Sequence, residues 1–299
     1  MNKNLNSQKN NKLVQSAGNL EGSSETIRQL SNYNKTAWFR PWLAGVIDGD
    51  GNFDIRMSKG KPILKAIRVK IHIRDVRILN TIKNNFHFGQ IRYDKKRPFC
   101  TYSVSTKEHM CLLIHFLNGL IRLKVEGFQK ACNSLNIEYK EADYTLKAMD
   151  PYFAGLIDSD GSIIFNYPGN RIECNLELKY NEFTRKLCLD NVVPNYKPSV
   201  YFRTKKNPTK GKFFDSIAFK YQTVNQMVFL YEYFIKNRLF CDMKFYRVSK
   251  IKPFLGIRHY QKYPKESVEF EIYRSFLLDF IKYQNPLWPR TPFVKNLIR

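Results

Sequence analysis

Two pairs of aspartates define the chemistry this chain can do. Asp48 and Asp50 stand two residues apart, and Asp158 and Asp160 repeat that spacing in a nearly identical frame, Leu43-Ala-Gly-Val-Ile-Asp-Gly-Asp-Gly-Asn-Phe53 against Phe153-Ala-Gly-Leu-Ile-Asp-Ser-Asp-Gly-Ser-Ile163. Residues two apart on a helix point about 200° away from each other, so only one aspartate of each pair can face a shared site. If the two helices lie side by side, Asp50 and Asp160 meet near their C-terminal ends, where unpaired carbonyls and the negative end of the dipole favour cations. Hard oxygen donors of this kind suit Mg²⁺, with Ca²⁺ or Mn²⁺ as substitutes in binding, and phosphodiester cleavage is the natural use of such a site. Asp48-x-Asp50-x-Asn52-x-Asp54 also looks like the opening of an EF-hand calcium loop, but that loop needs glycine where Phe53 stands and a bidentate glutamate where Lys59 stands.

The frames themselves predict short helices. Pro41 opens the first and Pro151, behind the capping residue Asp150, opens the second, while Gly51 and Gly161 supply the stop. Ala44, Gly45, Ala154 and Gly155 are small enough to let two such backbones approach closely.

After each helix the apolar period changes to alternation. Phe53, Ile55 and Met57 alternate with polar residues, and Ile67, Val69, Ile71 and Ile73 alternate with Arg68, Lys70, His72 and Arg74, which predicts half-buried strands with one cationic face. Such a face can lie along a DNA major groove or serve as a solvated cover over a packed sheet. Helical patterns near 75–86 and 106–118, with short strands near 90–93 and 99–104, complete an αββαββα half. In the second half Ile172, Cys174, Leu176 and Leu178 alternate with Glu173, Asn175, Glu177 and Lys179, strands near 199–203 and 213–220 follow, and a helix spans about 224–237. Glu173 and Glu177 depart from the basic pattern, which implies weaker binding of that half-site or the reading of cytosines.

The expected fold is α+β: two pseudo-symmetric αββαββα domains, packed through the two motif helices, whose antiparallel sheets form a saddle-shaped DNA-binding surface. Residues 1–36 are polar and read as a disordered or extended lead-in, 37–140 as the N-terminal domain, 141–149 as the linker within a charged stretch, and 150–299 as the C-terminal domain with an aromatic, basic extension.

Lys and Arg number 50 against 26 Asp and Glu, a formal charge of +24 spread along the chain, so a polyanionic partner is expected. Six scattered cysteines, without C-x-x-C spacing, argue against structural zinc and a disulfide framework. No apolar run approaches the roughly 20 residues a membrane span requires.

The two motifs resemble those of the LAGLIDADG homing endonuclease family in its single-chain, two-repeat form, over roughly residues 38–260. The resemblance implies a monomeric, intron-encoded, site-specific endonuclease that cuts both strands of a long double-stranded DNA target and leaves short 3′ overhangs. It assigns metal binding to Asp50 and Asp160, helped by the carbonyls of Gly49 and Ser159, and makes Asp48 and Asp158 orienting or interface residues. It further nominates Lys124, in Leu120-Ile-Arg-Leu-Lys124, and more loosely Lys244, to stabilise phosphate charge or poise water. His72 matches a polar residue in water contact with the metals, with exposed strand histidine as the alternative, and Asn181 or Lys179 corresponds in the second half. By face and charge the DNA contacts are Arg56, Lys65, Arg68, Lys70, Arg74, Arg92, Arg203, Lys205, Lys206, Lys210 and Lys212.

Two other functions compete with cleavage. A maturase would use the same scaffold to bind folded intron RNA and assist group I splicing, yet both acidic positions of both motifs are intact, which favours catalysis. A plain DNA-binding regulator leaves acids beside a polyanion unexplained. The Asn- and Lys-rich composition suggests an AT-rich organellar genome, mitochondrial first and chloroplast second.

Overall fold

The computed structural model describes residues 37–206, 211 and 213–298. The predicted lead-in 1–36 and the hairpin lysines Lys210 and Lys212 lie outside the described residues. Helix α1 (37–50) runs into β1 (Gly51–Ser58) and β2 (Lys61–His72), followed by α2 (Val76–Phe86), β3 (Gln90–Tyr93), β4 (Phe99–Val104) and α3 (Lys107–Leu117). Then comes α4 (Val125–Ser134). The second half opens with α5 (Pro151–Ser159), β5 (Gly161–Asn166) and β6 (Arg171–Lys179), and continues through α6 (Glu182–Lys186), β7 (Ser199–Lys206), β8 (Phe213–Tyr221) and α7 (Met227–Lys236). Helices α8 (Asp242–Ser249), α9 (Ile251–Ile257), α10 (Val268–Lys282) and α11 (Val294–Ile298) close the chain. The sheets have matching orders, β1-β2-β4-β3 and β5-β6-β8-β7, with every neighbouring pair antiparallel. The expected α+β class and twin four-stranded sheets are therefore present.

The predicted order is exceeded in one place and thinned in another. Helix α4 adds an element to the first half and lies on β1, where Gly127 stands beside the Phe53 ring. Phe128 packs edge-on against the same ring at 5.5 Å. In the second half α6 has only five residues where α2 has eleven. The stretch after it buries Leu187, Leu189, Val192, Val193 and Tyr196 without regular structure. The charged stretch at 138–147 is not a solvated tether: Ala142 and Leu146 are buried, and Leu146 N–H donates to the Cys188 carbonyl at 3.1 Å. The C-terminal helices cover β5, where Phe165 meets Phe254, Phe280 and Phe293.

The seam between the halves is made by α1 and α5. A Cβ on Gly45 would lie 2.2 Å from the Tyr152 carbonyl oxygen, and one on Gly155 would lie 2.0 Å from that of Trp42. Only glycine permits so close an approach of two helical backbones. That approach brings the two aspartate pairs to one end of the seam.

Candidate metal centre and nucleic-acid face

Asp48 and Asp158 are buried, and each is saturated with donors. Asp48 accepts from Arg122 N–H at 2.7 Å, Lys124 N–H at 2.9 Å and the Tyr152 hydroxyl at 2.7 Å. Asp158 accepts from the Trp42 indole N–H at 2.9 Å and from the backbone N–H groups of Phe240 at 2.9 Å and Cys241 at 2.8 Å. The inward-facing aspartates thus anchor the chain that leads to Lys124 and Lys244.

Asp50 and Asp160 face the other way, Asp50 half-buried and Asp160 exposed. A Cβ on Gly49 would lie 3.3 Å from Asp160 Oδ2, so that carboxylate rests against the end of α1. Burial, and then the negative charge of Asp160, push the Asp50 carboxyl up to about 6, with Lys244 and Lys124 pulling it back. Burial also raises Asp160, against the pull of both lysines. A carboxylate raised by burial and by the charge of a second carboxylate from the opposite half fits a cation, because an ion beside the two removes that repulsion.

The lysines sit on the helix ends. Lys124 Nζ donates to the Gly49 and Gly51 carbonyls. Lys244 Nζ donates to those of Ile157 at 2.7 Å, Asp158 at 2.8 Å and Ser159 at 3.2 Å. The carbonyls of Gly49 and Ser159, expected as metal helpers, are therefore held by ammonium groups and could assist a metal only by sharing or exchanging that donor. Burial lowers the Lys124 pKa, while Asp48, Asp160 and Asp50 work to raise it.

The Asp50 shift has a consequence for pH. Its folded pKa of about 6 lies above the ordinary 3.8, so the carboxyl is mostly protonated below pH 6 and ionised above it. Cation binding needs the ionised form, so Mn²⁺ affinity of the free protein should fall about tenfold between pH 7 and pH 5. Calorimetric titration at the two values checks this, and a flat profile would contradict it.

His72 ends β2, where its Nδ1 accepts from Arg74 N–H at 3.2 Å and its ring meets Phe99 edge-on at 5.9 Å. These contacts make it a turn cap. Of its two suggested counterparts, Asn181 spends its side chain capping α6, whereas Lys179 holds the register position of His72. Both lie three residues beyond the partner of the motif glycine, since Gly51 pairs with Val69 and Gly161 with Leu176. Asp75 was missed: it raises the Asp50 pKa through space and accepts from the Cys241 thiol at 3.0 Å, across the seam. Its position at the start of a helix was the only available signal, and many aspartates share it.

The first sheet carries a cationic face. Arg68 pairs through Ser103 with Gln90, Lys70 pairs through Thr101 with Arg92, and Asp54 bridges Arg56 at 3.1 Å and Arg68 at 2.9 Å. Lys65 fills the bulge in β2, and Lys65, Arg68, Gln90 and Arg92 border an open hollow of about 560 Å³. Arg74 lies at the turn after β2, 3.5 Å from Asp75. In the second sheet Arg203 lies 5.7 Å from the Tyr201 ring, Lys206 6.0 Å from that of Phe213, and Lys205 pairs with Glu177 at 2.7 Å. The two acids of β6 are not free to read bases. Glu173 is buried and accepts from Arg171 at 2.7 Å and Asn166 at 2.8 Å, while Glu177 also accepts from the Ser216 hydroxyl at 2.7 Å. A buried carboxylate needs such donors, and they leave it committed.

Among the described residues no helix is long and apolar enough to cross a membrane. Residues 43–134 match the family model described as LAGLIDADG endonuclease. The chain is 33% identical over 147 residues to intron-encoded RNA maturase bI4 of Saccharomyces cerevisiae, covering 48% of this chain and 22% of the maturase. It is 31% identical over 156 residues to probable intron-encoded endonuclease 4 of Neurospora crassa, covering 49% and 28%. The chain thus spans about a quarter of the length of these two relatives. Intron-encoded DNA endonuclease ai2a of Dictyostelium discoideum is 25% identical over 264 residues, covering 88% of this chain and 80% of that protein. The crystal structure of LAGLIDADG homing endonuclease I-GzeII in complex with its DNA target shares the fold, with a TM-score of 0.54 at 14% identity over 82% of this chain and 99% of that one. With two motif helices in one polypeptide, each leading into its own four-stranded sheet, the chain is similar to the LAGLIDADG endonucleases, whose family model matches its residues 43–134.

Proposed function

We propose that this chain is a site-specific homing endonuclease, by its chemistry a divalent-metal phosphodiester hydrolase, that cuts both strands of a long duplex DNA site and leaves short 3′ overhangs. One observation carries the reading: Asp50 and Asp160, from opposite halves, meet at one end of the seam, where the Asp160 carboxylate rests against the end of α1 and its charge raises the Asp50 pKa. Asp50 and Asp160 would hold the ion, Mg²⁺ in preference to Ca²⁺ or Mn²⁺. The bound ion supplies charge neutralisation and an activated water. Lys124 and Lys244 place positive charge at the same helix ends, suited to the charge that grows on a phosphate as it is attacked. Arg56, Lys65, Arg68, Lys70, Arg74 and Arg92 would bind one half-site, with Arg203, Lys205 and Lys206 on the other. Lys70 and Arg92 lie in register across Thr101, as groove-following contacts require.

The chain divides for this purpose into 37–140 and 150–299, joined through 141–149, and acts as a monomer because both motif helices belong to one polypeptide. An intron origin and a mitochondrial setting follow the intron-encoded relatives and the Asn- and Lys-rich composition. A second reading, assistance to intron RNA splicing, is favoured by the maturase relative. The four intact acids favour cleavage. Incubation with a library of duplex sites, with Mg²⁺ or with Ca²⁺, followed by sequencing of ends, tests the proposal. Staggered cutting of one long site in Mg²⁺ is expected, and the absence of any cut, or cutting without sequence preference, would overturn it.

A further inference from the structure

Trp42 and Tyr152 occupy the same position in the two motifs, immediately before Leu43-Ala-Gly and Phe153-Ala-Gly. Both are buried, and neither bonds to its own half's motif carboxylate. The Tyr152 hydroxyl donates to Asp48 Oδ2 at 2.7 Å, and the Trp42 indole N–H donates to Asp158 Oδ2 at 2.9 Å. Each aromatic therefore crosses the seam. Each carboxylate in turn holds the segment that delivers a lysine. Asp48 Oδ1 accepts from the backbone N–H of Lys124 itself, and Asp158 accepts from Cys241 N–H, directly before α8, which carries Lys244.

We propose that Tyr152 and Trp42 are positioning residues acting in trans, each fixing, through the buried carboxylate of the opposite half, the lysine that sits on that opposite half's helix end. This rests on the endonuclease reading only for its kinetic consequence. The connection is shorter in the first half, because Asp48 binds the lysine's own amide, whereas Asp158 acts three residues upstream of Lys244. Removing the Tyr152 hydroxyl should therefore disturb its lysine more than removing the Trp42 indole N–H disturbs the other. Tyr152→Phe is a conservative probe: it keeps the ring, which the Arg122 guanidinium overlies at 4.2 Å, and deletes one donor to a carboxylate that retains two.

The test uses the full chain and has two readouts. In the first, reductive methylation of the metal-free protein is followed residue by residue with mass spectrometry. Tyr152→Phe should speed modification of Lys124 about fivefold and leave Lys244 unchanged, as expected when a hydrogen bond to a charged group is lost on one side only. Trp42→Phe should do the reverse, with a smaller change, and decides the matter alone if the tyrosine variant does not fold. In the second, single-turnover cleavage is measured on DNA labelled on each strand. Tyr152→Phe should slow by about tenfold the strand that Lys124→Met slows, and nicked product should accumulate. Equal acceleration of both lysines, no change in either, or a response of the lysine on the aromatic's own half would overturn the proposal. A wild-type chain that cuts no DNA would defeat the endonuclease reading while leaving the lysine result to stand or fall by itself.

Discussion

Asp50→Asn and Asp160→Asn should each reduce double-strand cleavage by about a thousandfold while leaving DNA affinity within about twofold, because each removes one of the two anionic oxygen donors of the proposed cation site, and a cation placed there would contribute several kcal/mol to the transition state. The amide is nearly isosteric with the carboxylate, and Asp50 is half-buried and Asp160 exposed at the helix ends, so folding should survive. Removing a negative charge near a polyanion can only help binding electrostatically. Cleavage and binding are measured on the same duplex, binding in Ca²⁺ and cleavage in Mg²⁺. Retained cleavage in either variant would mean that the two halves do not share the work as proposed.

Gly155→Ala should cost at least about 3 kcal/mol, at the upper end of what overpacking a core produces, and lower the melting temperature by about 6 °C or more in a chain of this size. The new Cβ would stand 2.0 Å from the Trp42 carbonyl oxygen and 3.0 Å from Val46 N, both backbone atoms of α1 that no rotamer change can move. The helices must separate, and the Asp50 and Asp160 carboxylates would separate with them. Gly256→Ala, in α9, is the matched control: its Cβ meets nothing within 4 Å, so it should be neutral or stabilise by about 0.5–1 kcal/mol. Thermal unfolding of the pair checks both statements, and equal melting temperatures would contradict the account of the seam.

The repeat was legible in the sequence because it is local: eleven matched residues specify a helix, its stop and the strand that follows. Strand alternation was legible for the same reason, since Ile67, Val69 and Ile71 face the core and Arg68 and Lys70 face out, as a period of two requires. What escaped depends on contacts between distant segments. Helix α4 contains Gly127, which weakens a helical signal, and its packing on β1 against the Phe53 ring joins segments far apart in the chain. Glu173 and Glu177 looked like free acids on an outward face, but their partners Arg171, Asn166, Lys205 and Ser216 are set by pairing and turn geometry. Gly49 and Ser159 carbonyls were nominated as metal helpers, yet lysine ammonium groups reach them from far along the chain. The crossing of Trp42 and Tyr152 to the opposite motif was invisible for a further reason: buried aromatics beside an apolar motif read as core, and only the seam shows where their polar atoms go.

The most direct measurement is anomalous diffraction from Mn²⁺ in crystals of the protein with its uncleaved DNA target. The account predicts a peak within coordinating distance of both an Asp50 and an Asp160 carboxylate oxygen, beside the phosphate to be cut. A peak held by one half alone, or none near either residue, would contradict it.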